Sequence, residues 1–199
     1  LTRHISGGAN GYAQYPGTAF TYGGPWKTYG PTIRSYEWGT IGSSTSDGRV
    51  ATHEIGHCLG LYHTFLSFST GCGAECDTTG DEVCDTPPTT PTYNCDTSNL
   101  CTNDLSGPSA FTIDMPDQLE NYMSYNDCQS LFTLGQKERM RGFLTTLDTL
   151  NGLYLLDNLI ATGLMQPTAI VQLPINKNKK LLKIVDVLGR STPNKKNTP

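Results

Sequence analysis

His53-Glu54-Ile55-Gly56-His57-Cys58-Leu59-Gly60-Leu61-Tyr62-His63 sets three imidazoles and one carboxylate in a single short run. On a helix, His53 and His57 stand four residues apart, one above the other on the same face. Both can therefore reach one metal ion. Glu54 is rotated by about 100° around the axis, at roughly 3.6 residues per turn. That places it beside the metal, where a general base for a zinc-bound water belongs. Gly60 lets the chain leave the helix through a conformation that a side chain resists, and the turn returns His63 as third ligand. Three protein ligands leave the fourth tetrahedral position to water, the pattern of one catalytic Zn2+ and not of a closed structural site. A bare His-Glu-x-x-His arises by chance on any helix, but the extension to His63 is far more specific. Three of the chain's four histidines lie in it. The fourth, His4, has no companion and reads as a surface or packing residue.

Asn121-Tyr122-Met123-Ser124-Tyr125 follows about 60 residues later, a separation that methionine-turn metalloenzymes tolerate. Met123 is expected to form an apolar, polarizable floor under the histidines. Tyr125 is placed to swing its phenol to the metal or to the oxyanion of an attacked carbonyl. Taken singly, these would be a core methionine and a surface aromatic; behind the histidine motif the functional assignment is the stronger one.

Charge is uneven along the chain. The 199 residues carry a net charge of −4, yet half of the 14 Lys and Arg lie at or beyond Lys177. Between Arg49 and Lys137 there are 12 acidic residues and no basic one. A zone of one sign points to bound cations or cationic substrates, beside plain solubility, and argues against nucleic acid as a partner. No stretch approaches the ~18 consecutive apolar residues of a membrane span, and residues 1–15 lack the basic start and apolar block of a signal peptide. Of seven cysteines, Cys72, Cys76, Cys84, Cys95, Cys101 and Cys128 crowd into a Thr-, Pro-, Asp- and Gly-rich segment. Disulfides would hold such a segment where a hydrophobic core cannot. A four-cysteine structural zinc competes, but only Cys72 and Cys76 have the close spacing it favours. Oxidised export is preferred, with Cys58 the odd, buried and inert thiol.

Pro31 to Ile41 alternates loosely and is expected as an edge strand, with Ile33, Tyr36 and Trp38 as β-formers. Asp47 is the expected N-cap of a helix from Arg49 to Leu59. Thr133 with Gln136 predicts a capping box opening a helix over 133–144, with Leu134, Met140 and Phe143 facing inward. A less regular apolar stretch covers Leu147–Ala161. Composition shifts near Thr162–Pro167, and beyond it lie two strand-like runs, Ala169–Leu173 and Leu181–Leu188. The expected organisation is a main domain over 1–165 and a tail over 166–199.

Taken together, Gly11-Tyr12-Ala13-Gln14-Tyr15-Pro16, the histidine motif with Thr64-Phe65, Gly80-Asp81-Glu82-Val83-Cys84-Asp85-Thr86-Pro87, the methionine turn, and Asp127-Cys128 leading to Phe132-Thr133-Leu134-Gly135-Gln136 and Arg139-Met140 resemble the pappalysin family of metzincins, and within it the bacterial, ulilysin-like members. The resemblance covers roughly residues 10–163. It implies an α+β, metzincin-like zincin fold: a twisted sheet with the zinc helix above, and an irregular lower half stabilised by disulfides and Ca2+. By family pattern Cys76 pairs with Cys101 and Cys95 with Cys128, leaving Cys72 and Cys84 as an extra pair. The Gly80–Pro87 stretch resembles the family's calcium loop, with Asp81 and Thr86 as ligands, and oxygen donors suit calcium. Asp127 falls where members place an acidic residue in the pocket for the side chain after the cleaved bond, implying cleavage before Arg or Lys. Members carry further residues ahead of the Gly-Tyr-Ala region, so the domain is expected to be N-terminally incomplete. Separately, Lys180-Leu181-Leu182-Lys183-Ile184-Val185-Asp186-Val187-Leu188-Gly189-Arg190 resembles, in shortened form, the C-terminal sorting signal of type IX secretion.

The expected protein is thus a secreted or cell-surface zinc metalloendopeptidase, a monomer that cuts peptide and protein substrates by Glu54-assisted attack of water. Its tail would engage a secretion machinery. Substrate would lie extended along the edge strand near Ile33–Trp38. The alternative is a catalytically silent zinc-binding adhesion or interaction module, against which Glu54 argues, since a structural site has no use for an unliganded carboxylate there. A zinc hydrolase acting on an ester or small amide is the other rival, disfavoured by the methionine turn.

Overall fold

Two short strands lie against the helix that carries the histidine motif. The computed structural model describes residues 4–16, 29–39, 47–65, 72, 75–97, 99–102, 104–105 and 111–165. Gly11–Ala13 (β1) and Pro31–Ile33 (β2) pair antiparallel, with Gly11 opposite Ile33 and Ala13 opposite Pro31. Pro31 opens its strand, where a missing N–H is tolerated. Arg34 N–H donates to Asn10 O at 3.0 Å and extends the ladder by one bond. The strand expected over 31–41 is therefore much shorter. Glu37 N–H turns back to Arg34 O, and Tyr36 and Trp38 are exposed instead of lying on a strand face. Positions 40 and 41 lie outside the described residues.

Helix α1 spans Arg49–Cys58, and both strands pack on it. Its N-cap is Gly48 in a left-handed conformation, not Asp47. Asp47 still serves the same end from one residue further out: its Oδ1 accepts the Arg49 N–H at 2.9 Å, and its carboxylate pairs with the Arg49 guanidinium. The helix closes through Gly60 N–H to His57 O and Leu61 N–H to Gly56 O, each 3.0 Å. Gly60 there has φ +91°, a region that penalises any Cβ.

Among the described residues no helix or strand lies between Cys58 and Leu134. Covalent and polar links replace regular structure there. All six clustered cysteines are oxidised, and Cys95 pairs with Cys128 as expected. The other two bridges differ from expectation: Cys72 joins Cys101, and Cys76 joins Cys84. The turns from Cys76 to Cys84 bring those two Cα atoms to 4.9 Å, within bridging reach, which leaves Cys101 for Cys72. Cys58 is buried and free. Burial pushes its thiol up to about 11, which keeps it protonated and unreactive.

Helix α2, Leu134–Thr146, begins with the expected capping box: Gln136 N–H donates to Thr133 Oγ1 at 3.1 Å and Thr133 N–H to Gln136 Oε1 at 3.0 Å. Asp85 reinforces it from afar, accepting from Thr133 Oγ1 at 2.7 Å and from Gly135 N–H at 2.8 Å. A carboxylate at a helix N-terminus is favoured by the unsatisfied N–H groups and the dipole. Leu134, expected inward, is 74% exposed, because the first residue of the helix projects beyond the packed turn. Met140 and Phe143 are half-buried. The apolar stretch after it resolves into Asp148–Asn151 (α3), a single 3-10 turn over Gly152–Tyr154, and Leu156–Ala161 (α4).

The buried apolar set is small, with Ile33, Leu61, Phe65 and Met123 at its centre. Asn121 and Gln136 are equally buried and fully hydrogen-bonded, which is what lets amides sit in a core. The result is an α+β fold with a short sheet, helices and an irregular, disulfide-linked segment. The chain divides into two compact units, Leu1–Asn158 and Leu159–Pro199. In the second, Leu164 N–H returns to Leu159 O at 2.9 Å around Gly163. The expected tail over 166–199, with its strand-like runs and sorting-signal resemblance, lies outside the described residues. Among the described residues no helix is long and apolar enough to cross a membrane.

Candidate metal centre and cleft

His53, His57 and His63 converge through their Nε2 atoms: His63 Nε2 lies 3.2 Å from that of His53 and 3.1 Å from that of His57. The outward nitrogens fix the tautomers. His53 Nδ1 stands 2.6 Å from Tyr122 O, and His57 Nδ1 stands 2.7 Å from Leu61 O. A carbonyl only accepts, so each Nδ1 carries the proton and each Nε2 presents a lone pair. Burial lowers the proton affinity of all three rings, His53 to about 4 and His63 to about 3. Neutral imidazoles with lone pairs crowded together repel one another unless a cation lies between them. The donor set therefore fits a zinc-type ion, with backbone carbonyls orienting two of the ligands. Among the described residues this is the group of three that could hold a metal ion; His4 is exposed and has no part in it.

Distant residues hold the third ligand in place. Arg139, on α2, donates from Nε to Gly60 O at 2.8 Å, lies 4.7 Å over the Tyr62 ring, and pairs with Glu82 at 3.2 Å. The turn that returns His63 is thus gripped from the far helix. Thr64 N–H then donates to Met123 O at 3.2 Å, and the His63 ring stacks on Phe65 at 4.7 Å.

Met123 is completely buried beneath α1. A Cβ at Gly56 would stand 2.6 Å from its Sδ, so the glycine between the two helical ligands is what admits the methionine. An amide network sets the turn. Met123 N–H donates to Asn121 Oδ1 at 2.9 Å, and Asn121 Nδ2 donates to Gln136 Oε1 at 2.9 Å. Gln136 Nε2 in turn donates to Asp81 Oδ2 at 2.8 Å. The capping glutamine of α2 is therefore also the anchor of the methionine turn.

Glu54 is 6% exposed, and its Oε2 has no hydrogen-bond partner. Burial lifts its carboxyl to about 7. It stands beside the ligands, with Gly11 of β1 directly against it: a Cβ there would lie 2.8 Å from Glu54 Cγ and Oε1. β1 and Tyr15 form one wall of a cleft of about 900 Å3; Tyr125, Asn126, Asp127 and Gln129 also line it, together with the histidines and Glu54. Of the stretch expected to guide substrate, only Glu37 lines the cleft, so the cleft-side strand is β1 and not β2. The Tyr125 ring lies 4.8 Å from that of His63 and 5.7 Å from that of His53. Tyr15 lies edge-on to His57 at 5.1 Å, with burial pushing its phenol up to about 12. Both phenols keep their protons and can donate hydrogen bonds into the cleft.

His53, Glu54, His57, His63, Met123, Tyr125 and Asp127 are thus brought together. Asp81 and Thr86 are not among the cleft residues; both are buried in the irregular segment. Asp81 accepts from Val83 N–H at 3.2 Å as well as from Gln136, and burial lifts its carboxyl to about 7. Gly11, Tyr15 and Arg139 serve the centre as well, and no motif assigns them that role. Nothing local in the sequence marks them, because each acts across more than forty positions or from a different element.

The profile of peptidase M43, pregnancy-associated plasma protein-A, matches residues 6–145. An extracellular metalloprotease of Colletotrichum graminicola is 36% identical over 141 residues, which cover 68% of this chain and 45% of that protein. One from Podospora anserina is 37% identical over 145 residues, covering 70% and 44%. The chain spans less than half the length of these curated relatives. Among solved structures, mature mirolysin of Tannerella forsythia in complex with a cleaved peptide superposes with a TM-score of 0.57 at 29% identity, over 82% of this chain and 57% of that one. A promirolysin mutant from the same organism gives a TM-score of 0.52 at 30% identity, over 79% and 48%. With the family match spanning the strands, the metal centre and α2, the chain belongs to the peptidase M43 family, pregnancy-associated plasma protein-A.

Proposed function

We propose that this chain is the catalytic part of a secreted zinc endopeptidase. The observation that carries it is the set of three inward Nε2 lone pairs beside a buried glutamate with an unpartnered oxygen, opening on a cleft. His53, His57 and His63 would hold a zinc ion, which would supply Lewis acidity and lower the pKa of a water to about 7. Glu54 takes a proton from the attacking water on Oε2 and returns it to the leaving amine. Tyr125 donates its phenolic hydrogen to the developing oxyanion. β1 offers backbone groups to an extended substrate. Secretion is supported by the extracellular metalloproteases among the relatives and by the oxidised cysteines.

Asp127 stands exposed at the cleft, free to meet an Arg or Lys that follows the scissile bond. Asp81 and Thr86 remain the proposed calcium ligands. The catalytic domain covers 1–165, acts as a monomer, and the tail over 166–199 serves export of the type IX kind.

The test is mass-spectrometric sequencing of the products from a diverse peptide library, with zinc and calcium present and Glu54→Ala as control. Cuts before Arg or Lys that vanish in the control are expected; cuts unaffected by that substitution would remove Glu54 from the reaction. Asp127→Ala should lower kcat/KM for basic residues by up to about 5-fold, because a solvent-exposed ion pair contributes at most about 1 kcal/mol. An unchanged basic preference would reassign the pocket. Gly11→Ala should displace the Glu54 carboxylate and lower kcat about 100-fold with zinc content unchanged, since a misplacement of about 1 Å costs that much. Full turnover in that variant would mean that β1 does not position the base.

A further inference from the structure

Among the described residues four rings surround Tyr125, whose phenol the proposed reaction directs at the oxyanion. His63 and Phe65 meet it at steep angles, with centroids at 4.8 and 5.0 Å, and His53 lies 5.7 Å away. These three belong to the metal centre or stack upon it. The fourth, Tyr93, comes from the irregular segment and lies at 6.1 Å, its plane only 27° from that of Tyr125. Both tyrosines line the cleft. Tyr93 is 65% exposed, so burial does not hold it there.

The chain on either side of it is held instead. Asn126, the neighbour of Tyr125 in sequence, is 2% exposed. Its Nδ2 donates to Thr92 Oγ1 at 2.7 Å and also to Asn94 O. One buried amide thus grips the residues immediately before and after Tyr93. The Cys95–Cys128 bridge fastens the same two stretches covalently. An exposed ring contributes little to a core; the anchorage finds its use in the ring that Tyr93 covers. We propose that Tyr93 is a positioning residue for Tyr125, a role that rests on the peptidase reading of the cleft. His53, His63 and Phe65 bound the Tyr125 side chain from the metal centre, and Tyr93 supplies the ring contact from the irregular segment. Without it, other staggered rotamers of Tyr125 open, and fewer molecules hold the phenol at the reacting carbonyl. An aromatic pair of this kind shifts such a population by about 2- to 10-fold.

Steady-state cleavage of one peptide by the full, zinc-loaded chain tests it in a double-mutant cycle. Tyr93→Ala should lower kcat about 2- to 10-fold with KM unchanged, and Tyr93→Phe, which keeps the ring, should restore it. In a Tyr125→Phe background, which already lacks the phenol, Tyr93→Ala should change kcat no further. A raised KM with unchanged kcat would make Tyr93 a substrate contact and overturn the proposal. Equal losses in both backgrounds would overturn it too. NMR supplies a readout apart from turnover: three-bond couplings should report one χ1 rotamer of Tyr125 in the unaltered chain and averaging in Tyr93→Ala. Couplings that do not differ between the two chains would sink the role even where kcat falls. Should the unaltered chain cut no peptide, the peptidase reading fails, and the couplings alone decide whether Tyr93 holds Tyr125.

Discussion

Glu54→Gln is expected to keep its zinc and to lose peptide cleavage by about 10²–10⁴-fold in kcat, the range that a positioned general base supplies. Gln has the same shape, so the pocket formed by Gly11 and α1 stays filled, and the three imidazoles stay oriented by Tyr122 O and Leu61 O. What is lost is only the capacity to accept and return a proton at the unpartnered Oε2. Metal analysis and single-turnover hydrolysis, run on the same preparation, check both halves. Zinc loss together with activity would make Glu54 a structural part of the centre. Retained zinc with retained activity would place the base elsewhere, and would leave the family membership untouched while removing the mechanism.

Gly60→Ala is expected to have the largest effect on the fold of the centre. Two independent penalties coincide there. A residue with a Cβ resists φ +91° by about 1–2 kcal/mol, and the Cβ would stand 2.1 Å from the Phe143 ring, an overpacking worth about 1–3 kcal/mol. Together they approach about 2–5 kcal/mol, a large part of the stability of an ordinary domain. The damage is local to function, because Gly60 O is the atom that Arg139 holds and the turn carries His63. Calorimetric unfolding and zinc affinity, measured side by side, should both fall. A variant with normal zinc affinity would show that the His63 turn can form without the left-handed residue. Pairing it with Phe143→Ala separates the two penalties: relief of the crowding restores part of the stability, and the backbone penalty remains.

Local chemistry was readable from the chain alone wherever a function is built from residues a helical turn apart. His53, Glu54 and His57 share one helix. The Thr133–Gln136 box closes within three positions, and the Met123–Tyr125 turn is contiguous. These depend on spacing, and spacing is visible. The oxidised state of six crowded cysteines was readable too. Their partners were not: Cys76 with Cys84 and Cys72 with Cys101 follow from the course of irregular loops, which no periodicity encodes. The same holds for the ends of elements. Pro31 to Trp38 has β-forming residues throughout, yet the ladder stops after Arg34 because no described strand continues opposite it. Leu134 is apolar but opens its helix outside the packed turn.

By itself, then, the sequence determined a three-histidine metal centre with a glutamate beside it, a methionine turn, and an acidic, cysteine-linked segment without basic residues. All of these follow from residue type and local spacing. Only the tertiary structure decided which strand walls the cleft, which glycine backs Glu54, and which arginine grips the His63 turn. Gly11 lies 43 positions from Glu54 and Arg139 lies 79 from Gly60. Contacts across such separations are chosen by packing and hydrogen-bond closure over the whole domain, and that information resides in the folded chain and in no single stretch of it.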